Sequence, residues 1–298
     1  MRLGWRFLGT RVPGVEIRTV EVVGLGTMGA GIAQVCVQEG VDTVGREVTR
    51  ELAERGRATI ERYLGRGVEK GRLTQEEMDA ALGRLTLTTE LADLSGCDLV
   101  IEAIVEQVEA KKELFAELDR LLSQQAVLAT NTSALSVTEI AAATKHPERV
   151  VGMHFFNPAP VMPLVEVVRT ELTDPAAHDA AYEFAARIGK EPIRCSDTPG
   201  FVVNRVLIPV LNDCVRVLDE AGVTPEDLDK AMLHGTRWPI GPCALIDLIG
   251  VDVHVHASEA LWASLREPRM APPPRLVAMA KAGLLGRKSG RGFYTYER

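Results

Sequence analysis

Apolar positions along the chain fall into two regimes. Over the first two-thirds, short apolar runs alternate with helical periodicities, as in a chain that repeats strand and helix. Val20–Val23, broken only by Glu21, predicts a strand. A helix follows over Ala30–Glu39, with Ile32, Ala33, Val35 and Cys36 on its apolar positions, and Gly40 stands where a left-handed residue would end it. Val41–Val44 predicts a second strand, expected to be weak or frayed because Gly45 offers no side chain to pack. A long charged helical stretch runs from Glu47 to about Gly83. Asp98–Ile104 (DLVIEAI) has the continuous apolar character of a buried parallel strand. Lys111–Leu122 predicts an amphipathic helix, Val127–Thr130 a strand, and Ser136–Ala143 a short helix opened by a serine cap. Val150–Phe155 and Leu164–Val168 predict two more strands. The expected fold class is α/β, a Rossmann-type doubly wound sheet.

The character changes at Thr198-Pro199-Gly200, after which helical periodicities dominate. Helices are predicted over Phe201–Ala221 with a kink at Pro209, over Pro225–Leu233, over Leu245 to about Leu265 with a break at Gly250, and over Arg275–Ala282. The expected organisation is an extension over residues 1–18, a dinucleotide-binding domain over 19–199 and an all-helical domain over 200–298.

Composition narrows the function classes. The 298 residues are 46% hydrophobic and 25% charged, as in an ordinary globular protein. A net charge of −7 argues against a nucleic-acid partner. No apolar run reaches the roughly 18 residues of a membrane helix. Cys36, Cys97, Cys195, Cys214 and Cys243 are scattered and form no C-x-x-C pair, so buried thiols in a reducing compartment are expected. His254-Val255-His256 lacks a third ligand at sensible spacing, and no metal is expected. Arg2, Arg6, Arg11 and Arg18 loosely suggest organelle targeting, but a plain extension and a cytoplasmic location are preferred.

Two features carry chemistry. Gly24-Leu25-Gly26-Thr27-Met28-Gly29 is a G-x-G-x-x-G turn between a predicted strand and a predicted helix. Gly24 permits the tight turn, Gly26 lets backbone approach a pyrophosphate, and Gly29 allows close helix–strand packing. Glu47, about 20 residues on, suits the ribose hydroxyls and favours NAD over NADP, although Arg46 and Arg50 flank it and could hold a phosphate. His154, at a predicted strand end, is a candidate general base. Glu166, an acid inside the apolar run Leu164–Val168, is costly to bury unless paired, and is its candidate partner.

From residue 19 onward the chain resembles the L-3-hydroxyacyl-CoA dehydrogenases, especially the short bacterial 3-hydroxybutyryl-CoA type. The resemblance rests on Gly24–Gly29, IEAIVE at 101–106, Asn131-Thr132-Ser133, HFFNP at 154–158, LVEV at 164–167, PGFVVNR at 199–205, Ile240–Pro242 and GRGFY at 290–294. It implies NAD-dependent oxidation of a (3S)-3-hydroxyacyl-CoA in fatty-acid β-oxidation chemistry, with His154, Glu166, Ser133 and Asn204 as the catalytic set. Ser133 and Asn204 would contact the substrate's hydroxyl and thioester carbonyl. Glu106, Lys111, Ser133 and Asn157 would lie near the nicotinamide half of the cofactor with Lys288 close by, and Thr27 and Met28 in the glycine turn. Lys70 aligns with a CoA contact, and the stretch Arg46–Arg72 carries eight basic and five acidic residues, which suits CoA phosphates. A homodimer through the helical domain is expected from its apolar faces. The sequence departs from the family pattern at Glu47, where aspartate is usual, and at Cys243, where phenylalanine is frequent. Two rival readings are a 3-hydroxyisobutyrate-type dehydrogenase and a catalytically silent, crystallin-like NAD-binding protein. Gly200–Asp213 lacks the lysine of the first, and the intact catalytic set argues against the second.

Overall fold

Nine elements build the first half of the first unit: β1 (Thr19–Val23), α1 (Thr27–Gln38), β2 (Asp42–Arg46), α2 (Arg50–Glu69), α3 (Gln75–Gly83), β3 (Leu85–Thr88), β4 (Leu99–Glu102), α4 (Val108–Leu121) and β5 (Val127–Thr130). It is completed by α5 (Val137–Ala141), β6 (Val150–Phe155), β7 (Leu164–Arg169), α6 (Pro175–Arg187) and β8 (Glu191–Ser196). The computed structural model describes residues 17–297, so the expected extension lies, for residues 1–16, outside the described residues. The chain divides into two compact units, Met1–Asp197 and Thr198–Arg298.

The strands form one sheet in the order β3-β2-β1-β4-β5-β6-β7-β8. Strand order reverses between β1 and β4, and the carboxyl ends there form the ligand-binding crevice of open α/β sheets. Pairing is parallel throughout except between β6 and β7, which run antiparallel. Val20, Val22, Ile101, Val127, Ala129, Val151 and Val167 meet Ile32 and Phe184 of α1 and α6 in one buried core.

Three local outcomes differ from the sequence expectations. β2 is not frayed: it pairs with β1 along its whole length and with β3 over four residues. A Cβ on Gly45 would stand 2.7 Å from Leu25 Cδ1, so the side chain of Leu25 fills the place that glycine leaves open. The long charged stretch is two helices, separated at Gly71 (φ +66°), with α3 opened by a capping box between Thr74 and Glu77. Edge strands β3 and β8 and helix α6 lie where no element was predicted.

The second unit contains α7 (Val203–Ala221), α8 (Pro225–Gly235), α9 (Pro242–Ile249), α10 (Val251–Leu265) and α11 (Pro274–Lys281). Pro209 lies inside α7, and Gly250 (φ +104°) separates α9 from α10, as its position suggested. Cys243 is fully buried beside Leu218 and Leu228, so its departure from phenylalanine falls on packing. His254 is fully buried, and its Nε2–H donates to Asn212 Oδ1 at 2.9 Å. Burial alone drops its imidazole from 6.5 to about 4.

That burial predicts a pH-dependent stability. An unfolded imidazole takes up a proton below about 6.5, whereas the folded one waits until about 4. The stability of the neutral, buried form is therefore complete above pH 6.5 and falls as pH drops toward 4, by roughly 3 kcal/mol. Urea unfolding of wild type and His254→Gln should show a stability gap that narrows between pH 7 and pH 4.5. A constant gap would contradict this account.

Candidate active site

The antiparallel pairing of β6 with β7 sets His154 directly opposite Glu166. Facing residues on one side of such a pair lie within reach of each other. His154 Nδ1 meets Glu166 Oε2 at 2.6 Å, with Glu166 wholly buried and His154 6% exposed. An isolated carboxylate so deep in an apolar strand would cost several kcal/mol. With Nδ1–H donated to the carboxylate, Nε2 is the basic nitrogen of the ring. The Phe156 ring packs against the imidazole with centroids 4.5 Å apart. His154 is the fifth of six residues in β6, so the pair sits toward the strand's carboxyl end.

A second cluster occupies the carboxyl ends of β4 and β5. Glu106, just after β4, accepts hydrogen bonds at Oε1 from the Thr132 hydroxyl (2.5 Å) and the Ser133 backbone N–H (3.0 Å). Its Oε2 lies 3.2 Å from Lys111 Nζ. Burial disfavours the Glu106 carboxylate, but the Lys111 ammonium and these hydrogen bonds outweigh it and hold the carboxyl below its usual range. Lys111 is 1% exposed, so it is no solvated surface charge, and its ammonium also contacts the fully buried Glu102 at 2.5 Å. Asn131 joins the two clusters: its N–H donates to the Glu102 carbonyl, and its Oδ1 accepts from the Phe155 N–H at 2.9 Å. Glu106, Ser133 and His154 are thus tied along adjacent strand ends. Asn157 follows as an exposed residue before a cis peptide to Pro158.

The glycine turn joins β1 to α1. Gly24 adopts φ +91°, and a Cβ there would meet the Ala103 carbonyl at 2.8 Å. A Cβ on Gly29 would stand 1.7 Å from the Gly24 carbonyl, whereas none of the surroundings lies within 4 Å of a Cβ on Gly26. The N-terminus of α1, at Gly26, has no side-chain cap. Open space before an uncapped helix N-terminus fits a pyrophosphate. Thr27 is exposed there and Met28 packs on the core. Glu47 accepts from Leu25 N–H (2.7 Å) and Val48 N–H (3.1 Å). It lines a cleft of about 270 Å³ with Gly26, Thr27, Arg55, Thr59 and Arg62. The donor and acceptor types in this cleft fit a dinucleotide with a free ribose edge.

Comparison with known proteins decides the family. The NAD binding domain of 3-hydroxyacyl-CoA dehydrogenase matches residues 19–198, and its C-terminal domain matches residues 200–296. This chain belongs to the 3-hydroxyacyl-CoA dehydrogenase family. It is 49% identical over 282 residues to a 3-hydroxybutyryl-CoA dehydrogenase of Mycobacterium tuberculosis, covering 94% of this chain and 99% of that one. It is 37% identical over 291 residues to the mitochondrial hydroxyacyl-coenzyme A dehydrogenase of Rattus norvegicus, covering 95% and 92%. The crystal structure of a (S)-3-hydroxybutyryl-CoA dehydrogenase of Ralstonia eutropha superposes with a TM-score of 0.91 at 40% identity, covering 95% of this chain and all of that one. Like its family, this dehydrogenase is an NAD-dependent oxidoreductase.

Three further candidate residues of the dehydrogenase are Lys70 in the first unit and Asn204 and Lys288 in the second. Lys70 ends α2 and lines a cleft of about 420 Å³ with Tyr63, Arg66, Arg72, Pro158 and Val161. In the second unit, Asn204 is half-buried in the first turn of α7. Lys288, also in that unit, pairs with Asp252 at 2.6 Å. Sequence reasoning did not single out Glu102, Thr132 or Asn131 as site residues. Glu102 carried the same signal as Glu166, an acid inside an apolar strand.

Proposed function

We propose that this enzyme oxidises short-chain (3S)-3-hydroxyacyl-CoA, 3-hydroxybutyryl-CoA foremost, to the 3-oxoacyl-CoA. The observation that carries the reading is the buried 2.6 Å pair of His154 and Glu166 on the sheet that also bears the glycine turn. The names of the bacterial relatives support the four-carbon substrate.

His154 Nε2 takes the proton of the substrate hydroxyl as the C–H bond gives up its hydride. NAD+, when bound, supplies the hydride acceptor. The Glu166 carboxylate fixes the tautomer and stabilises the imidazolium, as in other base–orienter pairs. Ser133 and Asn204 hold the hydroxyl and the thioester carbonyl, and the hydroxyl oxygen gains charge as its proton leaves. Glu47 accepts from the ribose hydroxyls, and Lys70 with Arg66 and Arg72 attracts the CoA phosphates. The enzyme acts in β-oxidation chemistry as a cytoplasmic homodimer joined through its helical unit. Exposed Val206 and Val217 on α7 support such a face, and no helix of the described residues is long and apolar enough to cross a membrane.

NADH formation tests the reading. (3S)-3-Hydroxybutyryl-CoA should turn over at least about a hundredfold more efficiently than free 3-hydroxybutyrate or 3-hydroxyisobutyrate, since CoA binding energy lowers the barrier. Equal turnover of the free acids would overturn it.

A further inference from the structure

The acid at Glu102 has no role in the chemistry described so far, yet it is fully buried and fully satisfied. Its Oε1 accepts from Lys111 Nζ (2.5 Å) and from the Ile104 N–H (2.7 Å), and its Oε2 accepts from the Thr130 hydroxyl (2.7 Å). Lys111 in turn reaches Glu106 at 3.2 Å. One ammonium is therefore shared by two carboxylates. Of the three side chains only Glu106 meets solvent, 37% exposed against 0% and 1% for Glu102 and Lys111. Buried groups at low effective dielectric project their charge far better than solvated ones. Without Glu102, Lys111 would neutralise Glu106. With Glu102 present, the cluster carries one net negative charge, presented through Glu106 at the carboxyl end of β4.

The two forms of the cofactor differ by one unit of charge on the nicotinamide ring, cationic when oxidised and neutral when reduced. We propose that Glu102, acting through Lys111, keeps this end of the crevice at one net negative charge and so favours the oxidised ring over the reduced one. Glu102 is then a positioning residue: it touches no substrate but sets how much of the Lys111 charge is left to cancel Glu106. The proposal rests on the reading that the nicotinamide half of the cofactor lies beside Glu106.

Calorimetric titration of NAD+ and of NADH, without acyl-CoA, tests it through the ratio of the two dissociation constants. The wild type is compared with Glu102→Gln, Glu106→Gln and the double variant Glu102→Gln/Lys111→Met. Both single variants leave the cluster neutral and should each cut the preference for NAD+ about tenfold. The double variant leaves Glu106 as the only charge and should keep the wild-type ratio within about threefold. A merely structural role would weaken NAD+ and NADH alike and leave every ratio unchanged. If Glu106→Gln leaves the ratio untouched, the siting of the ring beside Glu106 is wrong and the proposal falls with it. If Glu106→Gln moves the ratio but Glu102→Gln does not, the siting stands and the role of Glu102 is overturned. Should Glu102→Gln fail to fold, Lys111→Met decides: loss of the ammonium shared by Glu102 and Glu106 makes the cluster more negative and should raise the preference for NAD+, and an unchanged ratio overturns the charge balance.

Discussion

Replacing Glu166 by Gln lowers kcat about a thousandfold while NAD+ affinity changes less than about threefold. The size follows from the geometry. Glu166 is wholly buried, and its Oε2 meets His154 Nδ1 at 2.6 Å. An amide at that position keeps the volume but removes the charge that stabilises the imidazolium. It can also present its NH2 to the ring, which selects the wrong tautomer and takes basicity away from Nε2. The glycine turn lies on β1 and α1, away from β7, so cofactor affinity is spared. The variant's NAD+ dissociation constant and kcat, measured on one preparation, check both halves. A kcat within tenfold of wild type would show that the carboxylate does not steady the base.

The second large effect separates two glycines of one motif. Gly29→Ala should destabilise the protein by roughly 3 kcal/mol and abolish measurable NAD+ binding, because overpacking a closed site is paid in backbone movement. The new methyl would lie 1.7 Å from the Gly24 carbonyl, and that carbonyl belongs to a turn already held at φ +91°. Gly26→Ala meets open space instead, so the melting temperature should hold within about 2 °C. Its methyl enters the space before the α1 N-terminus, where the pyrophosphate would approach, and NAD+ affinity should fall at least about tenfold. Thermal unfolding and calorimetry on the two variants read these outcomes. Equal loss of stability in both would contradict the packing account.

What the sequence disclosed, and what it hid, follows from how local each signal is. The glycine turn, the β1–α1 unit and the Ser136 cap are written in contiguous residues, and the structure has the turn and both elements there. β3 (LTLT) and β8 (EPIRCS) are short edge strands with half-exposed, polar positions, so no apolar run announces them. The antiparallel turn of the chain between β6 and β7 is a matter of pairing, not of pattern, since Leu164–Arg169 is apolar enough to sit in the sheet either way. The break in the charged helical stretch was legible: Thr74 and Glu77 have the spacing of a capping box. Gly45 misled because a glycine's cost in a strand depends on what fills the gap, and Leu25 comes from another element. Among the site residues, His154 and Glu166 stood out by residue type in an unfavourable place. Glu102 meets the same test, and its partner Lys111 stands at helical spacing on the buried stripe of α4 with Leu114, Phe115 and Leu118, so the pair was legible, although a lysine on such a stripe reads as a surface charge.

The most direct test of the account is the single-turnover rate of NADH formation by His154→Ala saturated with NAD+ and (3S)-3-hydroxybutyryl-CoA. With the base removed and both ligands bound, the rate should drop by about a thousandfold or more. A variant that still forms NADH within tenfold of the wild-type rate would mean that another group takes the hydroxyl proton.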